Sequence, residues 1–252
     1  MIDTHCHVDF KDFNKNREEI IKRAQKKLTC IVNSGVTLEG NRRVLKLSEE
    51  YNKFIFPSFG FHPVNSSKSE QSVVEEAIKE LHENIDKAVA IGEVGMDYHH
   101  IKDSEGRKRQ EKIFNQFCGL AQEYELPLIV HARDSEEKAF KIAKKYKSIP
   151  EVIFHCYSGS LETANKIIEE EYYTSFSTMI CYSQHHQMLA KEIPLDYTLT
   201  ETDSPYLSPF KGEKNEPAFV EEAVKKIAEI KGNKFSKVDS VTEKNAKKVF
   251  GI

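Results

Sequence analysis

The segment MIDTHCHVDF sets two imidazoles, His5 and His7, one residue apart near the start of the chain. In an extended strand residues i and i+2 face the same way, so the pair could converge on one cation. It could equally be a polar patch on a terminal strand. Further metal-competent side chains follow short apolar runs: His62 after FIFPSFGF, Glu93 after AVAIG, His131 after LPLIV, His155 after EVIF and Asp203 after DYTLTET. Each has an ordinary explanation when taken alone. His131 could be a hydrogen-bonded structural residue, Glu93 a turn residue beside glycines, and His62 a residue that shapes the loop before Pro63. Asp203, before Ser204 and Pro205, could cap a helix. Burying so many imidazoles and carboxylates together would be costly unless they were paired or bound to metal. Such a set suits a borderline or hard divalent cation, among them Mg²⁺, Mn²⁺ and Zn²⁺. The histidines exceed what one catalytic zinc takes, and one carboxylate can bridge two ions, so two cations are reasonable. A two-metal site does hydrolysis well, activating water and clamping the attacking and leaving oxygens.

The elements that would carry these residues can be read from hydrophobic period. Eight runs read as strands: MIDTHCHV, CIVNSG, FIFPSFGFHP, AVAIGEVG, LPLIVHAR, EVIFHCYSG, YYTSFST and DYTLTETDSPYL. Each is followed by apolar residues at helical spacing, as in Val73, Val74, Ala77, Ile78 and Leu81 after the third. Strands alternating with helices imply right-handed βαβ units and a parallel sheet. Eight units predict an α/β protein with a closed (β/α)8 TIM barrel, as a single domain over residues 1–252. Ser236 to Ile252 reads as an extra C-terminal helix. In such a barrel the active site lies at the C-terminal ends of the strands. Strand parity puts Ile129 with His131, Ile153 with His155 and Ile91 with Glu93 on shared faces. The same parity points Cys6 and Cys156 the other way and excludes both as ligands.

Bulk properties narrow the function. Charged residues make up 31% of the chain and the net charge is −3, which argues against a protein that coats nucleic acid through a broad basic surface. An enzyme that holds only a strand end in a metal cleft is not excluded. The five cysteines show no C-x-x-C spacing and read as free thiols, which predicts a reducing cytoplasm. The opening residues do not resemble a signal peptide, and no apolar run is long enough for a membrane span, so no membrane partner is expected. No nucleophile elbow, P-loop or dinucleotide fingerprint appears.

Several motifs in order resemble the TatD family of metal-dependent deoxyribonucleases, within the wider amidohydrolase-like barrels. They are DTHCH, FGFHP, IGEVGMDYH, the pair Arg109-Gln110, LPLIVHARD, FHCYSGS, ETDSPYL and NEP at Asn215 to Pro217. The resemblance covers essentially the whole chain. It implies that His5, His7 and Asp203 bind one divalent cation, with Glu93 bridging to a second held by His131 and His155. Asp203 would also handle the proton of the attacking water, making Asp203 and Glu93 the catalytic pair. His62 and Arg133 are candidates for touching the scissile phosphate, and Glu201 for orienting a histidine ligand or water. Arg133 could instead pair with Asp134. The serines of Ser158 to Ser160 could receive an anion or only cap a helix. Tyr157, Lys214 and Ser135 depart from the family's usual residues, and none of them is a proposed ligand. The implied activity is a DNase trimming from a 3′ end, on single-stranded DNA or DNA with free 3′ ends, in DNA repair or breakdown. A D-aminoacyl-tRNA deacylase, or another ester or amide hydrolase on the same metals, is the alternative.

Overall fold

Burying apolar runs on both faces requires a parallel sheet wrapped in helices, and this is the arrangement in the computed structural model, which describes residues 1–252. Eight parallel strands pair in chain order: β1 (Ile2–Cys6), β2 (Cys30–Ser34), β3 (Ile55–Phe59), β4 (Ala90–Asp97), β5 (Leu128–Arg133), β6 (Val152–Phe154), β7 (Tyr173–Phe176) and β8 (Thr198–Thr200). Between and after them run α1 (Arg17–Gln25), α2 (Leu38–Glu50), α3 (Pro63–Lys68), α4 (Gln71–Glu83), α5 (Ser104–Glu123) and α6 (Glu136–Ala143). The remaining helices are α7 (Leu161–Glu169), α8 (Gln184–Glu192), α9 (Val220–Lys231) and α10 (Phe235–Phe250). The fold is the (β/α)8 barrel that the alternation predicts, with its extra C-terminal helix. No helix is long and apolar enough to cross a membrane.

Two apolar layers hold the barrel. Its lower interior is filled by Ile2, Val32, Ala90, Ile129, Ile153, Tyr173 and Leu199, and α10 closes that end with Ala246, Val249 and Phe250. The terminal ammonium of Met1 reaches Glu243 of α10 at 2.5 Å, tying β1 to the stopper. Outside the strands, Val94, Val130 and Phe154 pack against Phe114 and Phe117 of α5 and Ile167 of α7. Local chemistry sets the helix ends: Asp103 caps α5 at the Gly106 N–H (2.7 Å), and α9 stops on Gly232 at φ 61°.

The strands differ from their expected form at the site. β6 ends at Phe154 and β8 at Thr200, so His155, Glu201 and Asp203 stand on loops just beyond them. Asp203 has φ 55°, a left-handed backbone outside any strand alternation. Cys156, also beyond β6, has φ 44° and faces Ser177 Oγ at 3.2 Å. Its separation from the metal-competent set comes from this turn of the backbone rather than from parity. The His62-Pro63 pair opens an extra helix, α3, because the His62 ring accepts the Val64 N–H at 3.2 Å and proline suits a first helical turn.

Two β-bulges matter more. The ladder shifts between Asp3 and Cys6 in β1 and between Ile91 and Val94 in β4. Ile91 packs outward in the helical layer, so the expected shared face with Glu93 is wrong. The bulge turns Glu93 inward instead, as bulges do beside functional sites. In β1, Ile2 belongs to the inner layer and Cys6 to the outer, which leaves His5 and His7 on the inner side.

The β1–β8 seam is closed by side chains as well as backbone. Asp203 N–H donates to His5 O (3.0 Å) and His7 N–H to Ser204 O (2.9 Å). The buried Asp3 carboxyl accepts from Thr202 N (2.9 Å), Thr202 Oγ1 (2.6 Å) and His5 N (3.3 Å). Burial pushes the Asp3 carboxyl well above its usual range, and the Thr202 bonds pull against it. Asp3→Ala would leave buried donors unpaired, so it should cost on the order of 3 kcal/mol in urea unfolding of the metal-free protein.

Candidate metal centre

Glu93 is the point on which the C-terminal ends of the strands converge. Two glycines let its backbone sit there. Gly92 at φ 153° lies so close to Ile129 that a Cβ would come within 2.6 Å of that side chain. Gly95 at φ 143° would place a Cβ 2.0 Å from His131 O. The two carboxylate oxygens of Glu93 face different partners. Oε2 lies 3.4 Å from His5 Nε2 and 3.6 Å from His7 Nε2. Oε1 lies 2.7 Å from His131 Nδ1 and 2.9 Å from His155 Nε2.

Beside the clusters of His5, His155 and Glu201 and of His62, Asp97 and His131, two compact ligand groups share Glu93: His5, His7 and Glu93, and Glu93, His131 and His155. The ring nitrogens within each also face one another, at 3.2 Å for His5 and His7 and 3.1 Å for His131 and His155. Several lone-pair atoms aimed at one point satisfy a cation better than they satisfy hydrogen bonding. The residues present therefore fit divalent metal. Asp203 Oδ1 stands 3.4 Å from His7 Nε2 and 4.0 Å from His5 Nε2, at the edge of the first group.

Each imidazole turns one nitrogen inward while an oxygen holds the other. His7 Nδ1 donates to Ser34 O at 2.8 Å, and His5 Nδ1 faces Ser34 Oγ at 3.2 Å. Asp97 Oδ2 stands 3.3 Å from His131 Nε2, and Glu201 Oε1 stands 3.4 Å from His155 Nδ1. Such outer partners fix the tautomer and orientation of a metal-binding histidine. Glu201 in turn accepts a hydrogen bond from Ser175 Oγ.

Electrostatics divide the imidazoles in the metal-free molecule. Burial opposes charge on His7, yet Asp203 and Glu93 hold its proton up to about 9. His131 and His155 are likewise raised against burial, by Asp97 and Glu93 and by Glu93 and Glu201 respectively. His5 is lowered by burial and by His155, which stacks on it at 4.0 Å. Burial keeps His62 neutral, down to about 3. Glu93 stays well below the usual carboxylate range despite its burial, because the surrounding imidazoles favour its charge.

A cavity of about 550 Å³ opens over these groups. His62 lies on its wall with Nε2 3.5 Å from Glu93 Oε1. Its Nδ1 accepts the Val64 N–H, so Nε2 carries the hydrogen and can donate. Arg133 is exposed on the same wall and is not paired with Asp134, which faces His99 at 3.3 Å. Ser160 caps α7 at Thr163 N (3.1 Å), and the serines of that turn do not line the cavity. Sequence reasoning missed Asp97 and His100. Asp97 is buried and accepts from His100 N at 2.8 Å, with His100 Nδ1 2.7 Å from its other oxygen. Alternation along β4 from Glu93 through Gly95 to Asp97 was the available signal.

The sequence model of the family described as TatD related DNase matches residues 2–251. The chain belongs to the TatD family. It is 46% identical over 249 residues to the uncharacterized metal-dependent hydrolase MJ1582 of Methanocaldococcus jannaschii, covering 99% of this chain and 96% of that one. It is 29% identical to the human deoxyribonuclease TATDN3, covering 99% of this chain and 94% of that protein. The crystal structure of YJJV, a TatD homolog from Escherichia coli, superposes with TM-score 0.91 at 27% identity, covering 100% of this chain and 98% of that chain. TatD membership makes this protein a metal-dependent hydrolase, and its His and Glu clusters can bind metal.

The role of Asp97 can be measured directly. Asp97→Asn removes the charge that holds His131, so divalent-metal affinity at the Glu93–His131–His155 group should fall about 10- to 100-fold in a chelator competition titration. The His5–His7 group should keep its affinity.

Proposed function

We propose that this TatD protein is a deoxyribonuclease that removes nucleotides from the 3′ end of DNA, at a centre where Glu93 would help hold two divalent cations. The observation that carries the reading is the division of the Glu93 carboxylate, with Oε2 toward His5 and His7 and Oε1 toward His131 and His155. In the proposed assignment His5, His7 and Asp203 would hold one cation and His131 and His155 the other, with Glu93 between them. Bound there, Mg²⁺, Mn²⁺ or Zn²⁺ would acidify water and offset the charge on a phosphate.

The protein's own groups do the rest. Burial favours a neutral Asp203, but His7 and His5 hold its carboxyl below the usual range. Asp203 is therefore ionised at neutral pH and can accept a proton at Oδ1, then pass it to the leaving oxygen. His62 Nε2–H and the unpaired Arg133 guanidinium face the cavity where phosphate oxygens would lie, and both can donate to them. Glu201 and Asp97 keep His155 and His131 in the orientation that leaves their inward nitrogens free. The name of the TATDN3 relative supports DNA as the substrate. A free 3′ end or single strand suits an open cavity on an acidic protein, and the free cysteines suit the reducing cytoplasm, in DNA repair or breakdown.

The test is metal-stripped protein with single-stranded DNA labelled at its 5′ end. Adding Mg²⁺ or Mn²⁺ should give a ladder shortening from the 3′ end, and Asp203→Asn should lower kcat by about a hundredfold or more. DNA left intact under every metal would contradict the reading. Cleavage of a D-aminoacyl-tRNA ester in its place, surviving Arg133→Ala, would move the assignment to a deacylase.

A further inference from the structure

The wall of the metal cavity is divided by chemistry, and barrel order makes the division spatial. Asp97 at the end of β4, His100 just beyond it and Arg133 at the end of β5 form a charged arc. Phe10 after β1, Val36 after β2, Val64 after β3, and Tyr206 and Leu207 after β8 also line the cavity. These strands are neighbours across the β8–β1 seam, so their loops gather every apolar lining residue on one side, an apolar arc facing the charged one, with His62, Asn65 and Asp203 set among them. At the centre of the apolar arc, Phe10 lies flat on the His7 ring, with centroids 4.6 Å apart and planes 14° apart. Tyr206 stands edge-on to Phe10 at 6.2 Å and is 55% exposed, although it sits beside the metal centre.

An exposed aromatic ring beside phosphate-competent groups has a use. A nucleotide presents this same division, an apolar base face joined through a sugar to a charged phosphate. Stacking on an aromatic side chain suits any base, because every base has a π-face. We propose that the apolar arc is a nucleobase subsite, in which the base of the nucleotide at the metal centre stacks on Tyr206 and meets Phe10. This rests on the nuclease reading and adds to it how the substrate is gripped. The charged arc directs the phosphate, and the aromatic arc holds the base without reading its identity.

Binding tests this independently of catalysis. Protein loaded with Mn²⁺ is titrated calorimetrically with thymidine 5′-monophosphate and with 2-deoxyribose 5-phosphate, which carries the same phosphate and no base. The subsite predicts that the nucleotide binds about ten- to a hundredfold more tightly. Tyr206→Ala should shrink that preference to within about threefold, and Tyr206→Phe, which keeps the ring, should retain it. Equal binding of the two ligands by the wild type would overturn the proposal, as would an undiminished preference in Tyr206→Ala. Equal weakening of both ligands in Tyr206→Ala would also overturn it, assigning the side chain to the shape of the loop. Intact DNA alongside a preserved base preference would remove the nuclease reading and leave the subsite standing.

Discussion

One carboxylate organises this molecule. Glu93 is 2% exposed and has five imidazoles within 3.6 Å, so its charge is kept by their ring nitrogens and by the raised basicity of His7, His131 and His155 rather than by water. A buried ion of this kind is tolerable only when its partners are fixed. The backbone around it is built to that end. The β4 bulge turns Glu93 inward, and Gly92 and Gly95 give it room. Ser34, Asp97 and Glu201 hold the far sides of the surrounding rings. The fold below supplies rigidity, through a packed apolar interior and the α10 stopper.

The same constraint explains why the barrel is irregular where the chemistry lies. Short β6 and β8 hand His155, Glu201 and Asp203 to loops, and both bulges fall next to residues of the cluster. A regular strand offers one inward position in two, which is too sparse to surround one carboxylate with so many rings. Departures from regularity make up the difference. The seam between β1 and β8 follows from them, since the backbone of Asp203 and Ser204 bonds β1 directly and Asp3 accepts from Thr202.

Much of this was legible in the residues. The alternation of apolar runs with helical periods is a repeated signal, and it specified the strands, the barrel and the last helix. His131 and His155 followed from simple parity because β5 and β6 are regular up to them. Glu93 stands out by its place after AVAIG, but its facing does not follow from parity: Ile91 faces outward, and no pattern in AVAIGEVG announces a bulge. Asp97 is legible only by following the alternation of β4 past Glu93 to the strand's last residue. The short helix α3 hid behind the His62-Pro63 pair, whose capping geometry is local and has no hydrophobic period. The apolar arc was beyond reach, since Phe10, Val36 and Tyr206 are far apart in the chain and meet only through barrel order.

The central claim is that Glu93 bridges two cations, and electron paramagnetic resonance of the protein titrated with Mn²⁺ tests it most directly. The account predicts two ions per chain at saturation and a spectrum of two spin-coupled Mn²⁺ ions a few ångströms apart. Glu93→Gln should abolish the coupled signal. A wild-type spectrum of one isolated ion per chain, or a coupled pair that survives Glu93→Gln, would contradict it.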